Sequence, residues 1–177
     1  MKHTLSLLAI WILFIFVNQS LSAQEGYIAN KLFYTELGGP GIIMSVHFDG
    51  RFISNERLGL GYRLGAGFGY GRFFEGQDYK SVRRTYYSIP AGLNYVFGRP
   101  NSSSTLEVGA GITCLTRKVS LYNIDVDKPG NVIGFLTVMY RIMPVNGGFS
   151  FRVGFTPIIG TAGDLVPSGA ISLGYAF

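Results

Sequence analysis

The chain has 177 residues, 25 of them glycine and 15 % aromatic, and only 14 % are charged, against roughly 25 % in soluble domains. That balance fits a single domain, and it excludes both a disordered chain and an ordinary cytosolic enzyme. The formal net charge of +5 is a modest excess that gives no expectation of a nucleic-acid partner, and the lone Cys114 excludes an internal disulfide.

Met1-Lys2-His3 is a short basic start, Leu5 to Val17 is an uncharged apolar run, and Asn18 to Ala23 closes it with small and polar residues. This is the three-part pattern of a secretory signal peptide over residues 1–23, with cleavage after Ala23 or, because Leu21 fits the third position before the cut poorly, after Ser22. A run of about 13 residues is too short for a membrane anchor, which needs roughly 20. No later run approaches that length either. A membrane role for residues 24–177 therefore requires a β-barrel, in which every backbone polar group is paired between strands.

Alternation of apolar and polar residues marks eight strands. The first, Lys31 to Leu37, is blurred and ends at Gly38-Gly39-Pro40-Gly41. The second runs from Ile42 to Phe52 and turns at Ser54-Asn55-Glu56. Leu58 to Arg72 is a long third strand, followed by a polar loop, Phe73 to Arg83, and a fourth strand, Arg84 to Phe97. Gly98 to Ser103 turns into the fifth, Thr105 to Lys118. A loop over Ser120 to Asn131 leads to the sixth, Val132 to Ile142, and Met143 to Gly148 turns into the seventh, Phe149 to Ile158. Thr161 to Pro167 loops back to the last strand, Ser168 to Phe177.

In strands two to eight one face is wholly apolar. Ile42, Met44, Val46 and Phe48 share it with Leu58, Leu60, Tyr62, Leu64 and Phe68, and later with Leu106, Val108 and Ile112, and it ends in Ile171, Leu173, Tyr175 and Phe177. The other face carries Ser45, His47, Asp49, Arg51, Arg63, Asn94, Glu107, Thr137, Arg141 and Arg152 with a row of glycines, and Glu36 is placed with it.

Two architectures accommodate eight such strands. A secreted lipocalin-like carrier would point the aromatic face inward, whereas a transmembrane barrel points it outward. An eight-stranded barrel has room only for a thin filling of side chains, which suits glycine and serine and not some ten aromatic rings. The fold expected is therefore all-β: a closed eight-stranded antiparallel up-and-down transmembrane β-barrel. A one-residue register slip would turn Arg63, Arg141 and Arg152 into lipid at about 2–4 kcal/mol each near the midplane, so the penalty fixes the register. Short turns alternate with longer loops, and aromatic residues gather toward both strand ends: Phe52, Tyr95, Phe97, Tyr140, Phe149, Tyr175 and Phe177 at one, Phe68, Tyr70, Tyr86 and Tyr87 at the other.

On these features the chain resembles the OmpA/OmpX-like family of small eight-stranded outer-membrane β-barrel proteins of Gram-negative bacteria. The resemblance covers Lys31 to Phe177. It implies an outer-membrane location, a monomer, contact with outer-membrane lipid and lipopolysaccharide, and insertion by the barrel-assembly machinery. The final Gly-Tyr-Ala-Phe looks like the signal that machinery reads, with Tyr175 and Phe177 in its key positions. Members differ widely in role, so the likeness implies a fold and leaves activity open.

Candidate sites are few. Glu36, Asp49 and Glu107 against Arg51, Arg63, Arg141 and Arg152 are nearly balanced, which suggests an ion-paired core plugging the lumen, with a narrow gated channel as the rival reading. Arg72, Lys80, Arg83, Arg84, Arg117 and Lys118 collect near the expected external rim and suit lipopolysaccharide phosphates. Ser45, His47 and Asp49 raise the idea of a lipid A hydrolase, but a spacing of about 6–7 Å along one face of a strand is too long for a direct relay. The glycines from Gly65 to Gly71 lie inside a strand pattern and read as lumen packing, not a nucleotide loop. Asn123, Asp125 and Asp127 lack the glycine and glutamate of an EF-hand. No catalytic residue, metal or cofactor is therefore expected, and the role expected is structural or one of surface interaction, with a channel or a carrier of hydrophobic molecules as the alternative.

Overall fold

The computed structural model describes residues 28–75, 80–119, 130–160 and 165–177; residues 1–27, with the expected signal peptide, and most of the loop expected at Ser120 to Asn131, with Asn123, Asp125 and Asp127, lie outside that set. Within it the chain forms β1 (Lys31–Gly38), β2 (Met44–Arg51), β3 (Gly59–Glu75), β4 (Lys80–Gly98), β5 (Ser104–Val119), β6 (Gly130–Ile142), β7 (Gly148–Phe155), β8 (Ile158–Ile159), β9 (Leu165–Val166) and β10 (Gly169–Ala176). Each main strand pairs antiparallel with its sequence neighbour. The sheet closes where β1 meets β10, with Leu32 opposite Ala176 and Glu36 opposite Ser172. Short β8 continues the line of β7 after Thr156-Pro157 and pairs with β6, while β9 pairs with β8 and leads into β10. Counted as staves, there are eight, and the barrel is closed.

Closure at the β1–β10 seam gives every main strand a partner on both sides over the height that the strands share, the condition for a sheet in lipid. Backbone bonds between Lys31 and Phe177, each N–H donating to the other's carbonyl, put both ends of the wall at one rim. The connections 52–58, 99–103 and 143–147 are at that rim too. At the opposite rim β3, β4 and β5 are long and β1, β2 and β10 short, so the wall is tall on one side and low on the other.

The period-two reading of the faces holds. Leu64, Leu93, Ile112, Val138 and Leu173 point outward and are exposed, whereas Asp49, Glu107, Thr113, Arg141 and Arg152 point inward and are buried. In β1 the inward set is Leu32, Tyr34 and Glu36.

Three expectations need correction. The polar loop set at Phe73 to Arg83 is largely strand, since β3 and β4 stay paired out to Glu75 and Lys80. Tyr86 belongs to the inner face and not to the outer aromatic belt. It is adjacent to outward Tyr87, and consecutive strand residues cannot share a face; its ring covers Gly69, its partner on β3. Ile42 is not part of the second strand. It ends a 3₁₀ turn, Gly39–Gly41, that folds into the barrel instead of bridging its rim.

That turn is short because Gly38 and Gly39 adopt φ of 76° and 63°, a region closed to most side chains. Ile42 follows at φ 75° and ψ −61°, a γ-turn geometry that is an outlier for a β-branched residue. It is held there by packing on an inner cluster of Tyr86, Leu115, Ile133, Ile158 and Val166.

Candidate functional site

The lumen is filled in three layers. At the rim holding Phe177, Ala29, Leu32, Tyr34, Met143 and Ala176 pack together. Arg57, from the turn between β2 and β3, caps this layer by donating to the Met143 carbonyl at 3.0 Å. Burial, with Arg141 nearby, lowers its guanidinium below the ordinary arginine value. Arg57 carries no signal in the sequence, where nothing in its local pattern distinguishes it from a solvated turn residue.

The middle layer is ionic. Glu107 accepts from Arg63, from Arg152 at 2.7 Å and from Arg141 at 3.1 Å. Arg141 also reaches Asp49 at 3.3 Å, and Asp49 accepts from Arg51 at 2.6 Å and from Asn94. Arg152 lies 3.6 Å from Glu36, which accepts from Ser172 at 2.8 Å across the closing seam. Glu36, Asp49, Glu107, Arg51, Arg63, Arg141 and Arg152 thus form one connected chain of ion pairs drawn from six strands. Charges can occupy such a dry interior only when paired and hydrogen-bonded in this way. The glycines of β3 make room for it: a Cβ on Gly61 would overlap the Arg51 guanidinium, and one on Gly65 would overlap the His47 ring.

The spacing argument against a Ser45–His47 contact fails. Ser45 Oγ and His47 Nε2 are 2.8 Å apart, because the figure for same-face strand neighbours is a backbone distance and these two side chains lean together. The acid at His47 is Glu36, 3.5 Å from the same Nε2, and not Asp49. His47 Nδ1 has no partner. A relay needs the base bonded to the nucleophile through one ring nitrogen and to the acid through the other, and here a single nitrogen faces both. Access is missing as well: both residues are buried, and the inward turn covers them so closely that a Cβ on Gly41 would overlap Ser45 Oγ. Among the described residues no group of three or more His, Cys, Asp or Glu is placed to hold a metal ion.

The inward turn is the upper layer. Thr113 donates to the Pro40 carbonyl at 2.8 Å and Ser88 to that of Gly41 at 3.3 Å, tying the turn to the neighbouring strands β5 and β4. Above it lies the apolar cluster that Ile42 joins. Among the described residues the ionic layer thus has packed apolar side chains on one side and the inward turn with its apolar cluster on the other.

Arg72, Lys80, Arg83 and Arg84 sit on the tall β3–β4 hairpin, where Arg72 pairs with Arg83 and Glu75 with Lys80 in backbone register. Arg117 and Lys118 are on the neighbouring end of β5. The side chains of all six lie outside the described set. Tyr175 is on the outer face opposite Phe33 on one side and Phe149 on the other, and Phe177 packs 6.4 Å from Phe48, ring centre to ring centre.

An apolar outer belt, a closed ring of eight staves and a polar, filled interior define a small eight-stranded barrel of the outer-membrane type. Among solved structures, the N-terminal β-barrel domain of Pseudomonas aeruginosa OprF has the same fold, with a TM-score of 0.53 at 13 % identity, over 84 % of this chain and 96 % of that one. The Yersinia pestis outer membrane protein Ail, in phospholipid bilayer nanodiscs, gives 0.50 at 13 % identity over 84 % and 99 %. The outer membrane enzyme PagL is a looser match, at 0.41 and 15 % identity over 84 % and 99 %. No protein-family model and no curated protein matches the chain. At these identities the likeness is one of fold.

Proposed function

We propose that the chain is an integral outer-membrane protein, exported by its N-terminal signal, whose plugged barrel is a rigid scaffold for a structural or surface-interaction role without catalysis. The observation that carries this reading is the lumen: an ion-pair chain spans it, and among the described residues packed side chains lie on one side of it and the inward turn with its apolar cluster on the other. A channel would need a polar path, and a hydrolase would need its nucleophile exposed. Interaction then falls to the tall hairpin of β3 and β4 with the end of β5. There Arg72, Lys80, Arg83, Arg84, Arg117 and Lys118 supply the forks and point charges that recognise lipopolysaccharide phosphates. Tyr175 and Phe177 would be read by the barrel-assembly machinery during insertion.

Three measurements test this. The mature chain, folded in detergent, should change gel mobility on boiling and should resist extraction from membranes by urea or alkaline carbonate; a chain that washes off is a soluble carrier. Planar bilayers should show no steady current, and sustained open-channel conductance would refute the plug. Lipid A from cells with and without the protein should have the same mass, and a lost acyl chain would make it an enzyme.

A further inference from the structure

The ionic layer is short of acceptors. Among the described side chains four arginines face three carboxylates along the lumen, leaving one positive charge, with Arg57 adding a further buried cation at the rim. The mismatch is concentrated around one ring. The Arg152 guanidinium lies 4.3 Å from the centre of the Tyr34 ring and that of Arg63 lies 5.7 Å from it, and both bond the same oxygen of Glu107. Nε of both arginines, Nη1 of Arg63 and the Tyr34 hydroxyl have no hydrogen-bond partner, and Nη1 of Arg152 has only its 3.6 Å ion pair with Glu36 Oε2, although all three residues are buried. The stacked imidazole of His47, 4.9 Å from Tyr34, adds another unpaired nitrogen, Nδ1, which is a donor in the tautomer whose Nε2 accepts from Ser45. Against these donors, the unpaired carboxylate oxygen in the layer is Oε1 of Glu36.

Leaving a donor unbonded in a dry interior is costly, and an uncompensated charge more so. A neutral ligand can satisfy donors but cannot remove the excess charge. A cation would meet two guanidinium groups. What the layer lacks is one negative charge in a body small enough to fit among side chains, with no need to donate in return. We propose that Tyr34, Arg63, Arg152 and His47 form a buried site for one small monovalent inorganic anion of the halide class, taken up when the barrel closes. Held between packed side chains on one side and the inward turn on the other, the site exchanges its anion only on unfolding, so the ion acts as part of the core.

The test follows from that trapping. The mature chain is denatured in urea and refolded into detergent in sodium chloride, sodium bromide or sodium gluconate at equal ionic strength, and its heat-unfolding midpoint is read by gel mobility. Halide-refolded protein should unfold about 5 °C higher than gluconate-refolded protein, because a ligand bound only by the folded state stabilises it. Arg63→Met, which removes the excess charge, should abolish the difference, and Glu36→Gln, which adds to it, should enlarge it. Equal midpoints in the three salts, or a halide effect undiminished in Arg63→Met, would overturn the site. A measurement on the unaltered chain avoids reliance on variants that fold poorly. Crystals grown from bromide-refolded protein should show an anomalous peak beside the Tyr34 ring, and a peak elsewhere or none counts against the proposal.

Discussion

Glu107 is the hinge of the ion-pair chain, and its replacement by glutamine keeps the shape while deleting the charge that three arginines share. At an effective dielectric of about 20, each close pair is worth roughly 4 kcal/mol, so the three together amount to on the order of 10 kcal/mol before desolvation is subtracted. Burying the carboxylate offsets several kcal/mol of that, and glutamine retains an accepting oxygen. The expected net loss for Glu107→Gln is about 3–5 kcal/mol, the range for breaking one side of a buried pair. Equilibrium urea unfolding in detergent micelles reads it directly, followed by tyrosine fluorescence and gel mobility, since the single tryptophan, Trp11, lies in the segment expected to be removed as a signal peptide. The double variant Glu107→Gln with Arg63→Met should recover part of the loss, because it leaves one fewer cation without a partner. A loss below about 1 kcal/mol in the single variant, or a double variant that adds both losses, would refute a network held together by charge.

Other consequences are simpler to read. Leu64→Arg, mid-wall on the outer face, should cost about 2–4 kcal/mol in liposomes, whereas Phe149→Arg near the turn rim should cost about 0–1 kcal/mol; equal costs would mean that the outer face does not cross a bilayer core. Gly39→Ala should destabilise by about 1–3 kcal/mol, since its Cβ would sit 2.9 Å from that of Ala170 and 3.0 Å from Glu36 Oε1 at a φ of +63°. Gly169→Ala, whose added Cβ meets only the Gly154 carbonyl at 3.4 Å, should stay within about 0.5 kcal/mol. Charge reversal of Arg83 and Arg84 together should lower co-purified lipopolysaccharide several-fold without changing heat stability, and unchanged association would remove that partner.

The faces of the wall were legible because period two is a geometric necessity, and the penalty for a charge in lipid leaves one register. Asp49, Arg63 and Glu107 could be placed inward on that ground alone. Pairing was not legible: which acid meets which arginine depends on strand stagger and on side-chain lean, so the Ser45–His47 contact and the role of Glu36 beside it were missed. Turns were the weakest part. Gly38 to Gly41 reads as a breaker whichever way it folds, and its inward course depends on hydroxyls of β4 and β5 far away in sequence. Tyr86 went astray for a smaller reason, an aromatic next to an aromatic, where only one can face lipid.

The inward Gly39–Gly41 turn sets where foreign sequence can be carried. An epitope tag spliced into that connection would have to occupy the space above Ser45 and His47, so cells carrying it should lose folded barrel. The same tag between β3 and β4 leaves the barrel interior untouched and should be displayed to antibody on intact cells. In this sense the two connections differ as insertion sites, the β3–β4 hairpin being open to added sequence and the Gly39–Gly41 turn closed to it.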